Sequence, residues 1–311
     1  MKQRQITFYF SGDPHTICDY MLRLAREFAK KDAVFGFLLY GKPYSFWRDI
    51  FNKKERIWEK KDGIYMIRQI YVLPFQRVTA IRILNAYIHS LICYPLVVSW
   101  IKFRHGIQTT GKPIFIFYHP EKEVKYFRFI FRLFSLTHTT LFDVVDYPPV
   151  HRVNNSLAIY REYIRKADVV TVISKALYSV FRRIRKDIRI VPPGFALEDF
   201  RHPKSRVVFP KDKLIIGYSG AIGSRLDYPL LYELIKRNPQ WRFVFWGPIQ
   251  IVEGENEEEI KKNIESLLHY NNVVHGFSKK KSEVAWVVNH FDICIIPYDI
   301  RQDQNKYCLP M

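Results

Sequence analysis

The run IIGYSGAIGSRLDYPLLYELI, residues 215–235, sets three glycines between an apolar, strand-like stretch and a helix-like pattern. Gly217, Gly220 and Gly223 follow G-x-x-G-x-x-G spacing. A strand, a small-residue loop and a helix start aim backbone N–H groups and the positive end of a helix dipole at an anion. Gly220, Ala221 and Gly223 are small enough for a phosphate to approach the backbone. Asp227 fits the N-cap of the helix and Pro229 its first turn. Arg225 adds a guanidinium fork suited to a diphosphate. An ordinary tight strand-to-helix turn has the same spacing, so the loop alone does not decide. It does argue against two familiar nucleotide sites. A dinucleotide site needs G-x-G-x-x-G and an acidic residue near the end of the next strand, but that strand ends WRFVFWGP, with Gly247 and Pro248. The GxxxxGK[ST] phosphate loop is absent.

No metal site is expected. Cys18, Cys93, Cys294 and Cys308 are scattered, without a CxxC pair or a His at zinc-like spacing. Cys294 lies in an apolar run and reads as a small hydrophobe. Four dispersed cysteines fit a reduced, cytosolic compartment. No D-x-D-type acidic pair stands at a strand end, and no facing pair of carboxylates suits a hydrolase scheme.

The elements that must position the loop alternate short β-rich runs with helical patterns, as in parallel α/β units. The first half predicts strands at 6–10, 33–40, 113–120, 139–146, 168–174 and 188–192. Helices are predicted over 19–30, 79–104, 125–134, 156–167 and 175–184. Residues 41–78 read as irregular and basic, with a short strand in IYMIRQI. Residues 192–213 are rich in Pro and charge and lack periodicity, which marks a linker. The pattern then restarts, with strands at 213–219, 241–247, 272–277 and 293–298 and helices at 229–238, 257–270 and 282–291. The fold class is therefore α/β, with two Rossmann-like domains facing each other. Residues 1–191 form the first domain, 192–212 the linker and 213–311 the second domain.

The chain has 311 residues and a formal net charge of +19, so an anionic partner is expected: nucleic acid, an anionic membrane or a phosphorylated ligand. No zinc finger, helix-turn-helix or RNP motif supports nucleic acid. The N-terminal apolar run is too short for a signal peptide. Residues 83–101, ILNAYIHSLICYPLVVSWI, are borderline in length for a bilayer span and read as a buried or interfacial helix. Basic and aromatic residues mix in segments 42–61 and 121–134, a composition that suits anionic lipid headgroups.

Four stretches resemble the GT-B glycosyltransferases, in particular family four (group 1) and teichuronic-acid-type enzymes. They are ADVVTVISKALYSVFRR (167–183), RIVPPGFALEDF (189–200), residues 215–248, and NVVHGFSKKKSEVAWVVNHFDICIIPYDIRQDQNKYCLP (272–310). Pro193 stands where the family usually has Asn. The resemblance covers residues 139 to the end, and the first 138 match in outline. It implies a nucleotide-diphosphate sugar, UDP- or GDP-linked, as donor, with no cofactor. Its diphosphate would lie on Gly220, Ala221, Ile222 and Arg225. The nucleobase would lie near Gly247 and Pro248 and near Gly276 and Phe277. Pro297, Tyr298, Asn305 and Lys306 would face the sugar. The family's P-x-K-x-x-E motif would begin at Pro310, so the second domain is expected to be incomplete at its C-terminus.

On the acceptor side, FDVVDYPPVH (142–151) resembles the family's interdomain stretch, with Tyr147 where a second Asp often stands. Asp146 at a strand end, with His15, His119 and His151, are the acceptor-side candidates. The resemblance implies metal-independent, retaining transfer to a polysaccharide or lipid-linked acceptor at the inner membrane face. The rival readings are a nucleic-acid-binding protein, a non-catalytic GT-B-like scaffold, and an epimerase or phosphorylase. Epimerases usually carry cleft carboxylates and phosphorylases a cofactor lysine, and neither is evident.

Overall fold

The computed structural model describes residues 3–10, 19–38, 42–52, 54–75, 77–118, 124–148, 156–194, 198–201, 207, 209–210, 212–251, 256–277 and 281–307. The chain divides into two compact units, Met1–Pro193 and Gly194–Met311.

In the first unit the strands are β1 (Gln5–Phe10), β2 (Ala33–Leu38), β3 (Tyr44–Ser45), β4 (Trp58–Lys61), β5 (Ile64–Ile67), β6 (Ile70–Tyr71), β7 (Ile114–Phe117), β8 (Thr139–Val144), β9 (Val169–Val172) and β10 (Arg189–Ile190). Eight of them form one sheet in the order β10-β9-β8-β7-β1-β2-β5-β4. Pairing is parallel except between β4 and β5. The strand order reverses between β1 and β7, the arrangement of a doubly wound sheet. β1 is buried at every position, as expected for a central strand covered on both faces.

Aromatic side chains fill this core. Phe117 stacks on Phe142 at 4.8 Å and Phe115 on Phe134 at 4.3 Å. The helix Val124–Thr137 turns Phe127, Phe131 and Phe134 into the core. The aromatic face that suggested a lipid-facing helix in segment 121–134 is therefore packed against the sheet. The irregular stretch 41–78 holds β3 to β6. Within it Asp62-Gly63, both with positive φ, joins β4 to β5 as a hairpin.

In the second unit, β11 (Ile215–Ser219), β12 (Arg242–Trp246), β13 (Val273–Gly276) and β14 (Ile293–Cys294) form a parallel sheet in the order β13-β12-β11-β14. Alternate residues serve opposite faces, as the strand period of two requires. Ile216, Tyr218, Phe243 and Phe245 pack against the helices Tyr228–Arg237 and Glu257–Leu268 through Leu231, Ile235, Ile260, Ile264 and Leu267. Ile215, Val244 and Trp246 pack on the other face with Val287 of the helix Lys281–Val288. Phe209 joins this second cluster, and the Trp286 indole donates to the Val207 carbonyl at 2.9 Å. Part of the stretch expected as linker is thus packed into the second unit. Cys294 is exposed on the edge strand β14, not buried as its apolar run suggested.

Candidate functional site

The order of the second sheet reverses between β11 and β14. In open α/β sheets, ligands bind outside the carboxyl ends of the strands at such a point. The glycine loop leaves the carboxyl end of β11 there. Its first half continues the pairing with β12: the Gly220 amide donates to the Trp246 carbonyl at 3.0 Å and the Ile222 amide to the Pro248 carbonyl at 2.9 Å. Its second half pairs with the segment after β14. The Asp227 amide donates to the Pro297 carbonyl, and the Asp299 amide to the Arg225 carbonyl, each at 2.9 Å. Residues 223 and 224 thus cross the switch point from one side to the other.

The loop is held from below as well. The Tyr218 hydroxyl donates to the Ala221 carbonyl at 2.9 Å and the Tyr228 hydroxyl to the Gly223 carbonyl at 3.0 Å. Burial pushes both phenols well above the usual tyrosine range, so they remain donors throughout the working pH range. Gln302 donates to the Ser224 carbonyl at 2.9 Å.

This geometry corrects two expectations. The Gly220 and Ile222 amides, expected to receive phosphate, are committed to the β12 extension. The glycines are small because protein atoms occupy the space beside them. A Cβ on Gly217 would strike the Phe291 ring, on Gly223 the Gln250 carbonyl oxygen, and on Gly247 the Gly220 carbonyl oxygen. A Cβ on Gly220 would lie 2.6 Å from the Tyr218 hydroxyl. The helix start is as read from the sequence, with Pro229 in the first turn and the Asp227 carboxylate accepting from the Leu230 amide at 3.1 Å. That carboxylate occupies part of the helix end that would otherwise attract an anion.

Positive charge at the loop comes from Arg225. Its Nε donates to Asn305 Oδ1 at 2.7 Å, and its guanidinium carbon lies 4.6 Å from the centre of the Tyr298 ring. Nη2 is buried without a hydrogen-bond partner. Arg225 is thus a planar cation held by one amide and one ring. Asn305, expected to face a sugar, is instead buried as the tie between Arg225 and the segment after β14. Lys306 is exposed beside it, with Nζ 5.5 Å from the Tyr307 ring centre.

Gly247 and Pro248 follow β12, and Phe277 follows β13 as a half-exposed ring. Gly276 ends β13 beneath the Trp246 ring. In the first unit, Asp146 lies two residues beyond the carboxyl end of β8. His15, His119 and His151 lie outside the described residues. Among those described, no cluster of three His, Cys, Asp or Glu could hold a metal ion. Sequence reasoning missed the tyrosine ties, Gln302 and the buried Asp143. Asp143 accepts from the Tyr20 hydroxyl at 2.9 Å and from the Thr171 hydroxyl at 2.6 Å. The first unit holds a cavity of about 870 Å³ between Trp58 and the helix residues Leu96 and Trp100.

No protein-family model matches the chain. Solved structures do. HepE of Anabaena, crystallised with UDP and glucose, aligns with a TM-score of 0.56 at 15% identity, covering 94% of this chain and 73% of HepE. A glycosyltransferase of Rickettsia africae gives a TM-score of 0.57 at 12% identity, covering 96% and 74%. OtsA gives 0.58 at 10% identity, covering 94% and 77%.

The chain has the GT-B fold.

In sequence, residues of this chain are 25% identical over 143 positions to TuaH of Bacillus subtilis (strain 168), provisionally named a teichuronic acid biosynthesis glycosyltransferase. That match takes in 43% of this chain and 34% of TuaH, so the chain spans about a third of the curated relative's length. The resemblance read from the four stretches between residues 167 and 310 is thus supported by sequence and by fold.

Proposed function

We propose that the protein is a glycosyltransferase that moves a sugar from a nucleotide-diphosphate donor to a polysaccharide or lipid-linked acceptor in cell-surface glycan synthesis. The observation that carries this reading is the clamped Arg225 guanidinium at the switch point of the second unit. When a donor splits, negative charge grows on the leaving diphosphate, and a cation oriented beforehand stabilises it without reorganisation. A guanidinium can supply that charge without a metal, which supports a metal-independent reading. Gly247, Pro248, Gly276 and Phe277 border the nucleobase side, and Pro297, Tyr298 and Lys306 the sugar side. Asp146 contacts the acceptor hydroxyl. Retention and transfer of a hexose follow from the family resemblance, as does a cytoplasmic place at the inner face of the membrane. HepE, bound to UDP and glucose, and TuaH, named for teichuronic acid biosynthesis, support the donor and acceptor classes.

Titration calorimetry with UDP and GDP is the test. Micromolar binding of one of them, weakened by Arg225→Lys, is expected, followed by sugar transfer from the matching donor. Absence of binding to either nucleotide would sink the reading. Binding without transfer would leave a nucleotide-binding scaffold.

A further inference from the structure

The helix Thr79–Arg104 is long and apolar enough to cross a membrane by length and composition. At about 1.5 Å per residue its 26 residues extend roughly 39 Å. Its polarity is inverted. The face turned into the protein carries the polar side chains Asn85, His89 and Ser90, while Ser99 is exposed. Asn85 Oδ1 accepts from the Val72 and Leu73 amides at 2.8 and 2.7 Å. His89 Nδ1 accepts from the Ile70 amide at 3.3 Å, and the Ser90 hydroxyl donates to the Ala86 carbonyl at 3.0 Å. The outward face presents Leu84, Leu91, Ile92, Leu96, Trp100 and Phe103, from 47% to 88% exposed. They recur at helical spacing, and no charged residue stands between Arg82 and Lys102. Beyond that gap both ends are basic, with exposed Arg77 and Arg82 at one and exposed Arg104 at the other, while Lys102 is bonded inward to Gln5 and Thr109. The Arg104 guanidinium lies 5.1 Å from the Trp100 ring centre.

An exposed apolar stripe of this length marks an interaction site. We propose that this face docks the protein flat on an anionic bilayer, with the stripe at the headgroup–acyl boundary and the basic ends on lipid phosphates. A spanning role does not fit, because the other face is built into the first unit. Val98 and Ile101 are buried, and the Tyr94 hydroxyl bonds Thr7 of β1 at 3.2 Å. A second copy is a poor occupant as well. Pairing two such helices, parallel or antiparallel, sets one basic end against another. An anionic surface satisfies both ends at once. This inference deepens the membrane part of the proposed function and does not depend on sugar transfer.

The test is sedimentation of the full chain with vesicles of phosphatidylcholine, alone or with a quarter phosphatidylglycerol. The protein should partition onto the anionic vesicles, and high salt should weaken this severalfold. The double variant Leu96→Asp with Phe103→Asp changes two exposed positions, so it should keep its fold by circular dichroism while losing partitioning about tenfold or more. Arg77→Glu with Arg82→Glu should remove much of the salt-sensitive part. Independently, brominated lipids should quench tryptophan emission of the wild type, and Trp100→Phe should remove most of that quenching. Unchanged sedimentation of the double variant, or no partitioning of the wild type, overturns the proposal. So does a wild-type dimer that the double variant dissociates. UDP calorimetry on the same variants should be unaltered, which separates failure here from failure of the donor site.

Discussion

Arg225 and Asn305, 80 positions apart in the chain, bind each other in both directions. Arg225 Nε donates to Asn305 Oδ1 at 2.7 Å, and Asn305 Nδ2 donates to the Arg225 carbonyl at 2.9 Å and to the Asp299 carbonyl at 3.0 Å. The amide therefore fixes side chain and backbone of the same residue, at the point where the glycine loop meets the segment after β14.

Two substitutions separate holding from binding. Asn305→Ala leaves two carbonyls and the Arg225 Nε without this partner in a buried site, which should cost about 1–3 kcal/mol. Calorimetry should show weaker UDP binding as well, because the guanidinium is no longer aimed. Arg225→Lys keeps the charge but loses the Nε bond and the planar stack on Tyr298. UDP affinity should fall about 10- to 100-fold. The unfolding midpoint should move less than with Asn305→Ala. Equal UDP affinity for wild type and Arg225→Lys would remove Arg225 from the site.

The glycines make a second prediction. Gly247→Ala would set a Cβ against the Gly220 carbonyl oxygen, a backbone atom that cannot rotate away. The expected loss is about 2–3 kcal/mol by urea denaturation. Gly194→Ala meets no atom within 4 Å and should change stability by less than about 0.5 kcal/mol. Similar costs at both positions would contradict the close approach of β11 and β12.

How far the site was legible depends on where its partners lie in sequence. The N-cap Asp227 and Pro229 could be read because capping is local, within one helical turn. The glycine spacing was visible, but its meaning was not. Phe291, Gln250 and Gly220, which fill the space beside Gly217, Gly223 and Gly247, are remote in sequence from them, and a glycine looks the same whether it makes room for a phosphate or for a carbonyl. Asn305 was singled out for a sugar because nothing local ties it to Arg225. In the first unit the long, periodic elements were readable. The hairpin β4–β5 was not, although its Asp-Gly turn is a strong local signal, because WEKK lacks apolar alternation on an edge strand. β14 shrank from the expected 293–298 to two residues. The last ladder bond runs from the Ile295 amide to the Gly217 carbonyl at 2.8 Å, and beyond it the Pro297 carbonyl serves the glycine loop instead.

The cysteines test that edge. Cys294 is exposed on β14, whereas Cys93 is half-buried in the long helix and burial raises its thiol pKa. The thiolate is the reactive form, so Cys93 is disfavoured by both access and ionisation. Peptide mapping after brief iodoacetamide treatment of the native protein should show Cys294 labelled about tenfold faster or more. Equal labelling would mean that β14 is covered or that the helix opens at Cys93.

Acid should destabilise the first unit through two histidines. His89 is wholly buried, and desolvation lowers its pKa from 6.5 to about 3. Its Nδ1 accepts a backbone amide and its ring lies 5.1 Å from Phe37, so the folded protein holds it neutral. His138 is lowered to about 4, first by burial and then by the charge of Lys112. In both, the unfolded chain binds a proton near pH 6.5 that the folded chain refuses. Stability is therefore full above about pH 6.5 and falls as pH drops toward 4, by up to about 1.4 kcal/mol per pH unit for each histidine. Urea titrations at pH 7, 6 and 5 should show that slope. His89→Asn places an amide oxygen where Nδ1 accepts and cannot titrate. It should be less stable at pH 7, because the smaller side chain leaves space beside Phe37, yet it should lose stability less steeply on acidification. A variant slope equal to the wild type's would mean that His89 is not the neutral buried base the geometry describes.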